Sequence, residues 1–204
     1  HRAGLSWPLA ELPFHRKPPH YMAMPLPLPT YTTDDLRAFP DDGCRYELLT
    51  GGLLVTPAPA NAHQVVVVRL LADLLSYLGT RGPAVVVTPG EIEVAPSVHL
   101  EPDLLVYPAR FGPEDNWPTI TGWWLAVEVS GRASRRYDRD YKREAYLTLG
   151  VREVWLVDLA EKCVLVSRDG TPRDVRHVEQ LSWHPEQMPE PLVVDCALLF
   201  RGLA

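Results

Sequence analysis

The sequence has few cysteines and no long apolar run, and each of these features argues against certain classes of protein. Its three cysteines, Cys44, Cys163 and Cys196, lie far apart and form no Cys-x-x-Cys pair. This argues against a disulfide framework or a thiolate zinc site, and it favours a reducing, cytoplasmic location. Because no run of about 18 apolar residues exists, no membrane span is predicted. Basic residues and prolines interrupt the start of the chain, so no signal peptide is predicted either.

An excess of positive charge is also absent, since the net charge is −6. Nucleic-acid-binding domains are usually basic, so the total charge weighs against a general nucleic-acid binder. It does not exclude a nuclease, because charge can be concentrated locally. The stretch from Gly131 to Arg143 holds six basic and two acidic residues, a local charge of +4. That stretch is either a solvated helix start or a surface that faces phosphate.

Prolines are abundant and concentrated near the start of the chain. Residues 1–30 hold seven of the 21 prolines. Because proline fixes φ and lacks a backbone donor, we predict an irregular N-terminal segment over 1–30. The remaining residues, 31–204, are long enough to bury a core without disulfides, and we predict that they form one domain.

Hydrophobic periodicity over 31–204 predicts strands interspersed with helices. A short helix is predicted to begin at Thr33-Asp34-Asp35, before Leu36, and further helices are predicted over 61–78 with Asn61 as its cap and over 137–149 with Gly150 at its end. Strands are predicted at 46–49, 53–55, 84–88, 91–94, 104–107, 123–130, 154–157, 164–167 and 192–194. Glycine-containing turns are expected between the first two strands and, at Pro89-Gly90, between the next two. This order predicts an α/β fold in which a mixed sheet carries a helix on each face.

Two carboxylates occur where apolar strands predict burial. Asp103 immediately precedes the strand that starts at Leu104, and Glu128 is the only charged residue in the strand 123–130. A buried, ionised carboxylate costs several kcal/mol unless a cation or hydrogen-bond donors compensate it, so the pair suggests a shared cation. The alternatives are that Asp103 is a turn residue and that Glu128 pairs with an arginine such as Arg69.

The helix predicted over 137–149 places a lysine and an aspartate with its apolar residues. At about 100° per residue, Asp138 and Lys142 share an arc with Tyr141, Tyr146 and two further apolar side chains. This arc should face the sheet, where a purely structural helix would carry leucine or valine. The alternative is a simple ion pair between Asp138 and Lys142, which are four residues apart.

Taken in order, these residues resemble the PD-(D/E)XK nuclease superfamily and, within it, the Uma-two family of restriction-endonuclease-like proteins. The similarity runs from about 31 to 170. Its motifs are Tyr46-Glu47-Leu48 with Gly51-Gly52, Pro57-Ala58-Pro59 with His63, Pro102-Asp103, Glu128-Val129-Ser130, Tyr137-Asp138, Lys142, Tyr146, Gly150 and Trp155-Leu156-Val157-Asp158. One departure is that Ser130 occupies the position of the superfamily lysine. A lysine on the following helix, here Lys142, takes that place in the Uma-two pattern.

The resemblance implies a restriction-endonuclease-like core that hydrolyses phosphodiester bonds in DNA with Mg²⁺ or Mn²⁺. Asp103, Glu128 and the carbonyl of Val129 would hold the metal, consistent with the preference of these ions for oxygen. Lys142 would be the catalytic cation, so Asp103, Glu128 and Lys142 are the predicted catalytic residues.

Supporting roles are predicted for His63, Glu47 and Asp138. His63 is otherwise a polar residue at a helix start, and Glu47 is otherwise a solvent-facing strand residue. Glu91 and Glu93 alternate with apolar residues and are interpreted as a polar strand face.

A homodimer is expected by analogy with nucleases that cut both strands, and Trp123-Trp124 could line its interface, although tryptophans are more often core residues. The alternative to an active enzyme is a nuclease-fold DNA-binding or regulatory module that has lost catalysis. The acidic net charge favours that alternative, whereas the complete set of predicted catalytic residues favours the enzyme.

Overall fold

The structure, a computed structural model, describes residues 30–56, 58–131 and 135–203. The proline-rich segment predicted over 1–30 therefore lies, apart from Thr30, outside the described residues. The strands are β1 (Arg45–Leu49), β2 (Gly52–Thr56), β3 (Ala84–Val87), β4 (Ile92–Val94), β5 (Val98–Leu100), β6 (Leu104–Pro108), β7 (Leu125–Ser130), β8 (Glu153–Asp158), β9 (Cys163–Arg168), β10 (Val175–His177), β11 (Gln180–Trp183) and β12 (Leu192–Asp195). The α-helices are α1 (Thr33–Leu36), α2 (Asn61–Leu78), α3 (Arg135–Tyr137), α4 (Arg143–Thr148) and α5 (Cys196–Leu199). A π-helix over Asp138–Lys142 joins α3 to α4, and a 3₁₀ turn spans Trp117–Thr119.

A six-stranded mixed sheet forms the centre, in the order β10-β9-β8-β7-β6-β3. The pair β7–β8 is parallel and the other pairs are antiparallel. Every residue of β7 and β8 is buried. Continuous apolar runs of this kind are typical of strands that are covered on both faces.

Helices cover both faces of this sheet, as the sequence predicts. Alternate strand residues such as Val127 and Trp155 pack with Leu70 of α2 in one core. Their neighbours Ala126 and Leu156 pack on the opposite face, in a second core with Tyr146 of α4. The α/β fold with a mixed sheet between helices is therefore confirmed. Within the described ranges, no helix is both long and apolar enough to cross a membrane.

The β1–β2 hairpin belongs to a second, antiparallel sheet in the order β2-β1-β5-β4. Its turn has positive φ at Thr50 and at Gly51. The expected pairing of β3 with β4 is wrong, because β3 pairs with β6 and β4 pairs with β5. In the segment between β3 and β4, the Gly90 N–H donates to the Pro102 carbonyl at 2.9 Å. A Cβ on Gly90 would lie 2.2 Å from the Cβ of Leu105. The chain thus passes tightly over β6 into the second sheet instead of turning back.

Helix α2 has the predicted limits, and Leu70, Leu74 and Leu78 are buried, but Leu75, which the three-four spacing also places on the apolar face, is 53% exposed. Asn61 is not its cap, however. The N-cap is Ala60, and no side chain caps the helix there. Strands β5, β10 and β11 and helix α5 are elements that the sequence analysis did not predict.

The helix predicted over 137–149 is interrupted by the π-helix. Asp138 and Lys142 are buried, as predicted, but the placement of Tyr141 on the inner arc is wrong, since its side chain is 58% exposed. A π-helix has a wider turn than an α-helix, so the angular spacing of 100° does not hold through it. Gly150 follows the helix with φ of +93°.

Trp123 and Trp124 are both core residues. Trp124 packs in the core beneath α2, and Trp123 packs in the core beneath α4. Because they are buried, the idea that this pair lines a homodimer interface is wrong. The homodimer itself stays a prediction.

Candidate active site

A cavity of about 440 Å³ opens where β1, β6, β7, the start of α2 and the π-helix meet. It is lined by five carboxylates, two fixed cations and one histidine: Glu47, Glu101, Asp103, Glu128, Asp138, Arg45, Lys142 and His63. With every carboxylate ionised and the histidine neutral, these side chains carry a net charge of −3. The six side chains predicted for the site are all in this set. Val129, predicted to bind the metal through its carbonyl, also lines the cavity.

Asp103 lies just before β6 and is 4% exposed. Its Oδ2 accepts a hydrogen bond from the Val129 N–H at 2.8 Å and lies 3.0 Å from His63 Nε2, while Oδ1 accepts one from Arg45 at 3.1 Å. Burial alone would raise the pKa of Asp103, but His63, Val129 and Arg45 together lower it. Asp103 is therefore a buried, ionised carboxylate, and its interpretation as a turn residue is wrong.

Glu128 lies in the middle of β7 and is paired with a lysine instead of an arginine. The Lys142 Nζ donates to its Oε1 at 3.1 Å, and the Tyr146 hydroxyl donates to the same oxygen. Arg69, the alternative partner, instead donates to the carbonyls of Leu199 and Arg201. Burial raises the pKa of Glu128 well above its ordinary value, and the lowering effect of Lys142 only partly offsets this.

Lys142 forms ion pairs with carboxylates on two strands, β1 and β7, which belong to different sheets. Its Nζ lies 2.7 Å from Glu47 Oε2 on β1, 3.1 Å from Glu128 Oε1 and 4.0 Å from Asp138 Oδ1. Burial would lower the pKa of Lys142, but the three carboxylates raise it, so the ammonium group stays charged. Because Asp138 is the most distant of the three carboxylates, an ion pair with Asp138 alone does not explain how the buried charge of Lys142 is balanced.

Glu47 and Asp138 are held by further hydrogen bonds. Glu47 is 1% exposed, which excludes a solvent-facing role, and its Oε1 accepts from the Glu101 N–H at 2.8 Å. Asp138 accepts from the Ser130 hydroxyl at 2.8 Å. Ser130, which occupies the position of the superfamily lysine, thus contacts the helix that supplies Lys142.

His63 lies on the first turn of α2 and reaches Asp103 through Nε2. Its Nδ1 is buried, and no hydrogen-bond partner for it lies within the part of the chain that the structure describes. If Nε2 carries the proton that binds Asp103, Nδ1 presents a free lone pair. His63 is therefore more than a polar residue at a helix start.

Sequence analysis missed two side chains of the site. Arg45 donates to Asp103 and to the Glu101 carbonyl, and Glu101 contacts Arg45 and Glu47. A signal for Arg45 was present, because residues two apart on a strand lie on the same face, and Arg45 stands two before Glu47.

The residues at this cavity suit a hard divalent cation. Among the described residues, five carboxylates against two fixed cations leave a surplus of negative charge at the cavity. Carboxylate and carbonyl oxygens are the ligands that Mg²⁺ and Mn²⁺ prefer.

A second group of potential ligands lies beside this cavity. Among the described residues, the ligand atoms of Glu91, Glu93 and His99 all lie within 4.8 Å of one another. His99 also contacts Glu101, at 3.2 Å. Burial would lower the pKa of His99, but the surrounding glutamates raise it, so an imidazolium can balance their charge. The interpretation of Glu91 and Glu93 as a plain polar strand face is therefore incomplete.

The fold is a mixed sheet between helices, with buried carboxylates gathered at one cavity. The chain belongs to the Uma2 family, whose model carries the description "Putative restriction endonuclease" and matches residues 33–198. Its structure is similar to that of a "putative nuclease belonging to DUF820" from Anabaena variabilis ATCC 29413. That match has a TM-score of 0.66 and 18% sequence identity, and it covers 85% of this chain and 99% of the other. No curated protein matches the sequence.

Proposed function

We propose that this protein is a Mg²⁺- or Mn²⁺-dependent endonuclease that hydrolyses phosphodiester bonds in DNA. The observation that carries the proposal is the buried ammonium group of Lys142, held by Glu128 and Glu47 in the cavity that Asp103 also lines. Membership of the Uma2 family supports a nuclease. The surplus of buried carboxylates supports a divalent cation.

Asp103 and Glu128, with the Val129 carbonyl, are the proposed metal ligands. A divalent metal bound there lowers the pKa of a coordinated water molecule and neutralises charge on the phosphate. Asp103 enters the reaction already ionised, because His63, Arg45 and the Val129 N–H lower its pKa. Burial raises the pKa of Glu128 and a bound cation would lower it, so we expect proton release to accompany cation binding.

Lys142 is the proposed catalytic cation. Its pKa is raised, so it stays positively charged, and its position between two strands is fixed by Glu47 and Glu128. Such a preorganised charge stabilises the negative charge that develops on a phosphate in the transition state. We assign positioning roles to His63, which contacts Asp103, to Glu47, which contacts Lys142, and to Asp138, which contacts Ser130.

A second candidate function is DNA binding without catalysis. The observation that favours it is the sequestration of Lys142, whose side chain is 3% exposed and lies against two carboxylates. Catalysis therefore requires Lys142 to exchange one of these carboxylates for a phosphate oxygen, and a protein in which both ion pairs persist would bind DNA without cleaving it. The net charge of −6 also favours this alternative.

Cleavage of supercoiled plasmid and labelled oligonucleotides, with Mg²⁺, Mn²⁺ or EDTA, distinguishes the two functions. We expect metal-dependent cleavage by the wild type, and its loss in Asp103→Asn and Glu128→Gln. A matched control is Asp73→Asn, which changes an exposed aspartate on α2 and should leave cleavage unchanged. Thermal melts of each variant show whether it is folded. Unchanged cleavage by Asp103→Asn contradicts the assignment, and a wild type that binds DNA without cleaving it favours the second function.

A further inference from the structure

Two tyrosines form an exposed stack on the helix that supplies Lys142. The rings of Tyr137 and Tyr141 have centroids 5.2 Å apart and planes inclined by 30°. Tyr137 is half-buried, and the ring of Tyr141 is more than half exposed. A tyrosine ring carries a large apolar face, so leaving it in water forgoes the stabilisation that burial would supply. Exposure at this point therefore calls for an explanation.

The π-helix turns this stack outward. Tyr141 and Lys142 are consecutive, yet one side chain is exposed and the other points into the cavity. An uninterrupted α-helix would place Tyr141 within the inward arc. Single π turns within α-helices occur frequently at functional sites. Here the wider turn presents an aromatic face to solvent and a cation to the cavity from adjacent positions.

The stack begins at the edge of the cavity. Tyr137 directly precedes Asp138, which lines the cavity. Burial raises the pKa of the Tyr137 hydroxyl, and the charges of Lys142, Glu47 and Asp138 also act on it. The inner ring therefore lies within electrostatic reach of the proposed catalytic residues, and the outer ring extends from there into solvent.

Two arginines alternate with the tyrosines along the helix. Arg136 is 93% exposed and lies 3.4 Å from Asp140, and Arg139 is half-exposed and pairs with Asp174 at 2.8 Å. The Arg136–Asp140 pair is exposed and contributes little stability, so a phosphate group can compete for the Arg136 guanidinium group. The basic stretch from Gly131 to Arg143 extends into residues 132–134, which lie outside the described residues.

We infer that Tyr141 is a stacking platform for an unpaired base of the DNA strand whose phosphate enters the cavity. This inference rests on the proposed function, since it requires a nucleic-acid ligand. Every base offers a π face, so such a platform holds single strands without reading their sequence. A fully paired duplex keeps its bases stacked inside, so the platform favours single-stranded DNA, or DNA opened near the cut, over intact duplex.

Fluorescence anisotropy in EDTA, which prevents cleavage, tests this with a 12-nucleotide single strand and the matching duplex. We expect Tyr141→Ala to weaken single-strand binding about 10-fold, in line with the loss of one base stack. Tyr141→Trp should retain binding, since its ring also stacks. Leu75→Ala removes an equally exposed side chain at the far end of α2 and should have no effect. A single-stranded RNA of the same sequence should show the same loss, because the base and not the sugar is recognised.

The inference is overturned if Tyr141→Ala binds the single strand as tightly as the wild type does, or if the wild type prefers the duplex or binds neither. The cleavage assay separates this result from the proposed function. If the wild type cleaves DNA but Tyr141→Ala leaves single-strand binding unchanged, the stacking platform alone is wrong. If the wild type binds single strands through Tyr141 yet never cleaves with Mg²⁺ or Mn²⁺, catalysis alone is wrong.

Discussion

Replacing Lys142 with methionine removes the only lysine among the described side chains that line the cavity. Methionine keeps much of the aliphatic stem but carries no charge. Glu47, Glu128 and Asp138, which lie 2.7, 3.1 and 4.0 Å from the ammonium group, would then face one another without it. Removing one partner of a buried ion pair costs about 3–5 kcal/mol, and we expect a loss of unfolding free energy of that size.

Urea unfolding at neutral pH in EDTA measures this loss, and the melting temperature should fall by roughly 6–20 °C for a chain of this length. Adding Glu128→Gln to Lys142→Met should restore part of the stability, because it removes one of the unbalanced carboxylates. Lys162→Met, at an exposed lysine, is the matched control and should cost less than about 0.5 kcal/mol. If Lys142→Met lies within about 1 kcal/mol of the wild type, a change typical of any point mutation, the ammonium group does not balance the buried carboxylates.

Three further predictions concern the surroundings of the site. Tyr146→Phe removes the hydroxyl that donates to Glu128 and should cost about 1–3 kcal/mol in urea unfolding; no change would show that this hydrogen bond is unimportant. In EDTA, stability should fall as the pH rises through the folded-state pKa of Glu128, because burial raises that pKa above 4.5 and the unfolded chain ionises first. Glu128→Gln should flatten this dependence, and an equally steep curve would refute the assignment. Leu74→Ala in the core should cost about 2–5 kcal/mol, whereas the neighbouring Leu75→Ala, at an exposed position, should cost little; similar losses would contradict the packing described for α2.

Elements with a single clear period could be predicted from the sequence. Strands β7 and β8 are continuous apolar runs, and burial on both faces follows directly from that composition. Helix α2 places leucines every four residues, which defines its buried face. In these elements the local pattern and the tertiary environment require the same structure, so the pattern is sufficient.

Elements whose course depends on distant contacts could not be predicted. The chain from β3 to β4 contains a proline and a glycine, which is typical of a hairpin turn. Its actual path is set by the contact of Gly90 with Pro102 and Leu105, which the sequence around Gly90 does not reveal. The π-helix could not be predicted either. Tyr141 fits the inner arc of an α-helix, and only the packing around Asp138 and Lys142 shows the wider turn.

Four residues of the candidate site were found through charges at apolar positions, whereas His63, Glu47 and the Val129 carbonyl entered only through the family resemblance. Glu128 stands in a buried strand and Lys142 on the inner arc of a helix, and each required a partner that the sequence analysis could infer. Arg45 was missed because a charge near the end of a hairpin strand is ordinary. The strand period places Arg45 on the same face as Glu47, but its contact with Asp103 depends on the approach of β1 across two sheets, which periodicity does not encode.

Calorimetric titration with Mn²⁺ tests most directly whether Asp103 and Glu128 share a cation. We predict that the wild type binds Mn²⁺ in the cavity with release of protons, and that Asp103→Asn abolishes this binding while remaining folded. Glu93→Gln alters the neighbouring group of Glu91, Glu93 and His99 and should leave the cavity site intact. Binding that persists in Asp103→Asn, or that disappears only in Glu93→Gln, would contradict a metal site at Asp103 and Glu128.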